Sequence, residues 1–123
     1  MFNPEFFLNI AKWLITIEDK VNETKKEAVF RTIIGRAYYA AFLKTNEFLN
    51  KKGLLLPTDS SAHAVARENL KIYFGRDASD EFKELRQMRI CADYKLDKSI
   101  RKKDAQNAIN LSESILSFIE LFE

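Results

Sequence analysis

The chain of 123 residues is long enough to bury the core of one domain, and its 46% hydrophobic and 31% charged residues exclude both a disordered chain and a membrane-embedded one. Twenty Lys and Arg against 18 Asp and Glu leave a net charge of +2, too little for indiscriminate attachment to nucleic acid, so any contact with RNA has to be local. No apolar run approaches the ~20 residues of a membrane span, no basic stretch followed by an apolar one opens the chain, and a cytoplasmic location is expected.

Three glycines and two prolines separate stretches with helical periodicity, which predicts five helices and no strand. Asn3 caps the first helix, with Pro4 at the first helical position, where its missing N–H costs nothing. The inward stripe of this helix is predicted as Phe6 or Phe7, Ile10, Leu14, Ile17 and Val21. Thr24 and Glu27 have capping-box spacing for the second helix, which carries Phe30, Ile34, Ala37, Tyr38, Ala41, Phe42, Thr45, Phe48 and Leu49 before Gly53 stops it. Leu54-Leu55-Leu56-Pro57 reads as an extended connection, and Thr58-Asp59-Ser60-Ser61 offers caps for a shorter third helix that ends near Gly75 and holds His63 in its first turn. The fourth is expected from about Ser79 to Lys95 or Leu96. The fifth begins near Lys102 or Asp104, with Ala105, Ala108, Ile109, Ser112, Ile115, Leu116, Ile119 and Phe122 on one face and Leu111, Phe118 and Leu121 in a second row.

Long helices with short connections predict an all-α fold: an up-and-down helical bundle of four long helices, the first, second, fourth and fifth, plus one shorter helix, as a single domain over residues 1–123. Apolar residues outside the inward stripes, including Phe2, Leu8, Trp13, Ile15, Leu111 and Leu121, predict an additional buried surface, for which a homodimer is the simplest source.

Two arginines interrupt this pattern. Arg89 stands in the stripe Phe82, Leu85, Arg89, Ala92 and Leu96, and Arg36 lies in a stretch otherwise free of charge from Thr32 to Leu43. Guanidinium stays charged at any ordinary pH, so an inward position demands an anion or a use for the charge. Asp93, four residues after Arg89, is the local partner, and a clamp in which Asp93 bridges Arg89 and Arg36 and ties down a tyrosine hydroxyl is expected. Tyr38, Tyr39, Tyr73 and Tyr94 supply hydroxyls; Tyr38 and Tyr94 each lie within a turn of an anomalous arginine. His63 is the only imidazole and the only side chain whose ordinary pKa suits proton transfer near neutrality. Cys91 is the lone cysteine and reads as a buried, reduced thiol. No glycine-rich phosphate loop, metal-ligand cluster or nucleophilic triad is present, so neither metal nor cofactor is expected.

Gly35-Arg36-Ala37-Tyr38-Tyr39-Ala40-Ala41-Phe42, His63 opening the third helix, and Leu85 followed by Arg89-Ile90-Cys91-Ala92-Asp93-Tyr94 together resemble HEPN domains over nearly the whole chain. The resemblance is closest to the small archaeal and bacterial branch with an Arg-Ala-Tyr-Tyr-Ala and a later Arg-x-x-Ala-Asp-Tyr segment. It implies a dimerising helical bundle, often partnered by a small nucleotidyltransferase in toxin–antitoxin pairs, and RNA as target or ligand. Many relatives are metal-independent ribonucleases in which an arginine stabilises phosphate charge and a histidine a short step further on assists attack by the ribose hydroxyl. Arg89 matches that arginine, but the window from Tyr94 to Leu96 holds no histidine, and Tyr94 takes its earliest position. A phenol of pKa about 10 is a poor base at neutral pH, so the resemblance leaves two readings open. In one, Arg89 binds a scissile phosphate, Tyr94 or His63 handles a proton, and Arg36, Asp93 and Tyr38 position them. In the other, the cluster belongs to a non-catalytic module that binds a protein partner, a nucleotide or RNA. Some relatives accept a nucleotide on a tyrosine near this motif, which makes Tyr94 a candidate for modification.

Overall fold

In the computed structural model, which describes residues 1–123, the chain forms α1 (Glu5–Ile17), a 3-10 turn (Glu18–Lys20), α2 (Glu23–Lys51), α3 (Ala62–Phe74), α4 (Arg76–Tyr94) and α5 (Lys102–Glu120), with no strand. The expected all-α bundle is present. Its second helix is the longest at 29 residues, and α4 and α5 have 19 each. α1, expected among the long ones, has 13 residues, as many as α3, because it gives way at Ile17 to the 3-10 turn.

The ends of the helices follow local chemistry. Asn3 Oδ1 accepts from the Glu5 N–H at 3.0 Å, as its residue type led us to expect, and Pro4 already has helical torsions. For α2 the cap is Asn22, whose side chain accepts from the Thr24 N–H at 3.0 Å, in place of the predicted Thr24–Glu27 box; Glu27 pairs with Arg31 instead. Asp104 accepts from the Arg101 N–H at 2.8 Å and starts α5. α3 and α4 are separated only by Gly75, whose φ of +97° makes the corner, so α4 begins one turn before the predicted Ser79.

α2 runs through the middle of the bundle, packed against α1, α4 and α5, while α3 covers α4 and part of α2. This explains why its apolar residues do not keep to one stripe: Ile33, Ile34, Ala37, Tyr38, Ala40 and Ala41 are all fully buried, on adjoining faces. Phe82 and Leu85 of α4 and Ala105, Ile109, Ile115 and Ile119 of α5 close the same core. Cys91 is half-buried at its edge, with a free thiol.

α1 is rotated from the predicted orientation. Leu8 and Ala11 are buried and Phe7, Leu14 and Ile15 pack against the core, whereas Phe6 and Ile10 face outward. Leu8, Ile15 and Leu111, expected to be surplus, thus belong to the core of this chain, and Phe122, expected inside, is exposed. What stays uncovered at this end of the chain is Phe2 together with Phe6, Ile10 and Trp13 of α1, each about half exposed. At the end of α1, Glu18 receives Lys102 of α5 at 2.9 Å and Lys26 of α2 at 3.7 Å. No helix is long and apolar enough to cross a membrane.

Candidate functional site

Helical spacing sets one side of α4 apart from its core face. Phe82, Arg86, Arg89 and Asp93 succeed one another at four, three and four residues, so two guanidinium groups and a carboxylate emerge beside the phenylalanine that anchors the helix. α2 answers with Tyr38, Tyr39 and Phe42, and α3 brings His63 and Arg67 over the top.

Arg89 is folded inward, its side chain only 14% exposed. Its Nε lies 2.8 Å from Asp93 Oδ2, but the carboxylate sits off the N–H axis, so the contact is an ion pair without an aligned hydrogen bond. Nη2 donates to the Tyr39 hydroxyl at 3.0 Å and reaches the Tyr94 hydroxyl only at 3.5 Å. The guanidinium carbon stands 5.2 Å from the centre of the Tyr39 ring, 5.4 Å from Tyr94 and 5.9 Å from Tyr38, within range of the attraction between a cation and an aromatic face. Burial works against the charge, yet the neighbouring Tyr39, Asp93, Tyr94 and Tyr38 outweigh it and hold the guanidinium above its ordinary pKa.

The expected clamp is not formed. Asp93 pairs with Arg89 alone, its Oδ1 lying over α2 at Gly35. Arg36 has no carboxylate partner; it is half-buried, 4.9 Å from the Phe7 ring centre and 5.5 Å from Tyr39. Both arginines therefore meet on the Tyr39 ring rather than on a shared carboxylate. Phe7 of α1 packs against the core beside Arg36 and supplies an aromatic face where an anion was expected.

Tyr38 is fully buried, stacked parallel to Phe42, with its hydroxyl against His63 Nδ1. Burial pushes its pKa far above the ordinary phenol value, with Arg86 and Arg89 opposing, so the hydroxyl keeps its proton. The Tyr38 hydroxyl keeps a proton that it can share with His63 Nδ1, and in that tautomer the imidazole proton sits on Nε2. His63 itself lies on Phe42, ring centres 4.5 Å apart, and burial, then Arg86 and Arg89, lower its pKa, so it is neutral at neutral pH.

Of the residues singled out in the sequence, Arg89, Asp93, Tyr94, Tyr38 and His63 are gathered here, with Arg36 joined through Tyr39. The sequence argument favoured Tyr38 as a neighbour of the arginine, but Tyr39 makes the hydrogen bond. It passed over Arg86, Arg67 and Arg31. Arg86 had a signal, since it stands three residues before Arg89 on the same side of the helix. Arg31 had only Glu27 at i−4, an ordinary surface pattern. In the fold it donates to the carbonyls of Cys91, Ala92, Lys95 and Lys98 at 2.6–3.2 Å, which fixes the carboxyl end of α4 beside the site. No group of three His, Cys, Asp or Glu side chains is placed to hold a metal ion.

The family model described as "HEPN domain" matches residues 7–122. The chain is 32% identical to the uncharacterized protein MJ0628 of Methanocaldococcus jannaschii, over 98% of this chain and 79% of that protein. No solved structure matches it.

Proposed function

The chain belongs to the HEPN family, and on that premise we propose that it is an RNA-binding module in which the tyrosine-lined recess around Arg89 takes a backbone phosphate, working beside a small nucleotidyltransferase in a toxin–antitoxin type pair. The observation that carries this reading is an inward guanidinium whose Nε has no aligned acceptor, ringed by three tyrosines. A phosphate oxygen supplies an acceptor for Nη1, which has no hydrogen-bond partner and is not sealed off as Nε is, and the exposed Tyr94 ring, 65% accessible, gives a base a face to stack on.

Binding is favoured over cleavage by where the protons sit. Attack by a ribose hydroxyl needs a base, and beside Arg89 the buried Tyr38 holds its proton while the His63 Nδ1 is already taken by that hydroxyl. The test is titration of the protein and Arg89→Ala with single-stranded RNA in chelator at several salt concentrations. Saturable binding that weakens as salt rises and falls by about tenfold in the variant supports the module. RNA cleavage by the unaltered protein, lost in Arg89→Ala, would replace it with a ribonuclease.

A homodimer joined along α1 accounts for the uncovered Phe2, Phe6, Ile10 and Trp13. Light scattering of Trp13→Glu is expected to show monomers where the unaltered chain shows dimers; two monomeric samples reject the α1 seam. Tyr94 favours a second role as nucleotide acceptor, because its ring is exposed and its hydroxyl is only loosely held. In that step the phenol oxygen attacks the α-phosphorus of a nucleoside triphosphate, losing its proton as pyrophosphate leaves. Mass spectrometry after incubation with the partner and ATP decides it: an unmodified Tyr94 peptide eliminates this role.

A further inference from the structure

Beyond the recess around Arg89, a separate hollow of about 170 Å³ lies between α3 and α4, walled by His63, Arg67, Lys83 and Arg86 with Phe82 at its base. Three permanent cations line it and no carboxylate does. Asp80, the nearest acid to Arg67, comes no closer than 3.9 Å. The Nε atoms of both Arg67 and Arg86 are shut off from solvent without a hydrogen-bond partner. Arg67, Lys83 and Arg86 surround the hollow with no carboxylate in its lining, and an anion there relieves their mutual repulsion. His63 adds a third donor. In the tautomer in which Nδ1 receives the Tyr38 proton, its Nε2–H is the free edge.

We propose that this hollow is a binding site for a terminal phosphate, the dianionic monoester at the end of an RNA chain or on a free nucleotide. A monoester carries close to two negative charges at neutral pH and three strong acceptor oxygens, enough for Arg67, Arg86 and His63 together. A diester within a strand carries one charge and needs an exit for each of its two ester arms. The wall formed by α3 and α4 favours the group with a single exit. The site stands independently of RNA binding at Arg89, since its donors come from α3 and from the preceding turn of α4.

The test follows His63 by NMR while inorganic phosphate is added to the intact protein. The groups facing that ring are Tyr38 from α2, Arg67 from α3, and Lys83, Arg86 and Arg89 from α4. An anion among these cations raises the pH at which the imidazole titrates, and saturable movement of its resonances with such a rise is the expected result. The double variant Arg67→Gln/Lys83→Gln alters two surface-reaching side chains and should bind phosphate about tenfold more weakly or worse. Matched ligands then separate the sources. A 5′-phosphorylated oligoribonucleotide preferred over its 5′-hydroxyl form, and over AMP, assigns the hollow to RNA ends; AMP bound as well as the oligonucleotide, and better than adenosine, assigns it to free nucleotides. Unmoved His63 resonances at saturating phosphate, or a double variant that binds as the unaltered protein does, would overturn the site even where RNA binding through Arg89 holds.

Discussion

Two arginines act on α4 from opposite circumstances. Arg31, reaching over from α2, meets four backbone carbonyls and the Glu27 carboxylate at 2.9 Å, so its fork is filled by acceptors that the helix end would otherwise leave unpaired. Arg89, on α4 itself, meets one off-axis carboxylate, one well-placed phenol and three rings. Both are mostly buried, at 16% and 14% exposure of the side chain, so burial alone does not distinguish them. Completeness of hydrogen bonding does. A filled guanidinium belongs to the architecture, and an unfilled one in a recess is available to a ligand.

The largest expected effect tests the filled one. Arg31→Ala leaves the last carbonyls of α4 and the turn after it without donors and should cost about 3 kcal/mol in chemical denaturation, with Arg31→Lys restoring only part because a single ammonium does not span four acceptors. An Arg31→Ala protein as stable as the unaltered one would remove the contrast. Arg89→Met is expected to cost about 1 kcal/mol, since it removes the partner of a partly exposed Asp93 and one well-placed hydrogen bond, while RNA affinity falls. A loss as large as that of Arg31→Ala would make Arg89 structural too.

The third effect is a pH dependence. The unfolded chain takes up a proton at His63 near its ordinary value of 6.5, whereas in the folded protein burial and then Arg86 and Arg89 resist it, so stability falls as the pH drops below about 6.5. His63→Gln should flatten the stability curve between pH 6.5 and the onset of carboxylate protonation near pH 4.5, where Glu18 and Glu47, both held below that value, begin to lose their ion pairs. An unchanged slope in the variant would show that the imidazole is not held neutral. Smallest is Arg36→Gln, which forfeits two cation–ring contacts at a partly exposed place and should cost about 0.5–1 kcal/mol. A larger loss, with a changed orientation of α1, would mean that Arg36 sets the rotation of that helix.

The way these residues came to light separates what a chain of letters carries from what it does not. The anomaly of Arg89 was legible because a charge in a stripe with Phe82 and Leu85 is a local contradiction, visible within four turns of helix. Its ion pair with Asp93 was legible for the same reason. The partner of Arg36 was not, because it depends on which residue of another helix arrives opposite, here Phe7 of α1. Arg31 was illegible altogether, since all four of its carbonyl partners lie some sixty residues away and any residue type supplies a carbonyl.

By itself the sequence determined the five helices, the glycine corners and the presence of an inward cation with its local acid, together with the motif pair that marks the family. Tertiary structure alone decided which donors have acceptors. It brought His63 onto Tyr38, put Tyr39 under both arginines, satisfied Arg31 and left Arg67, Arg86 and Arg89 with N–H groups to offer. Periodicity and capping act within a turn or two, so they can be read along the chain. Hydrogen bonds between helices depend on the rotation and depth of each helix in the bundle, which every side chain in the core sets jointly.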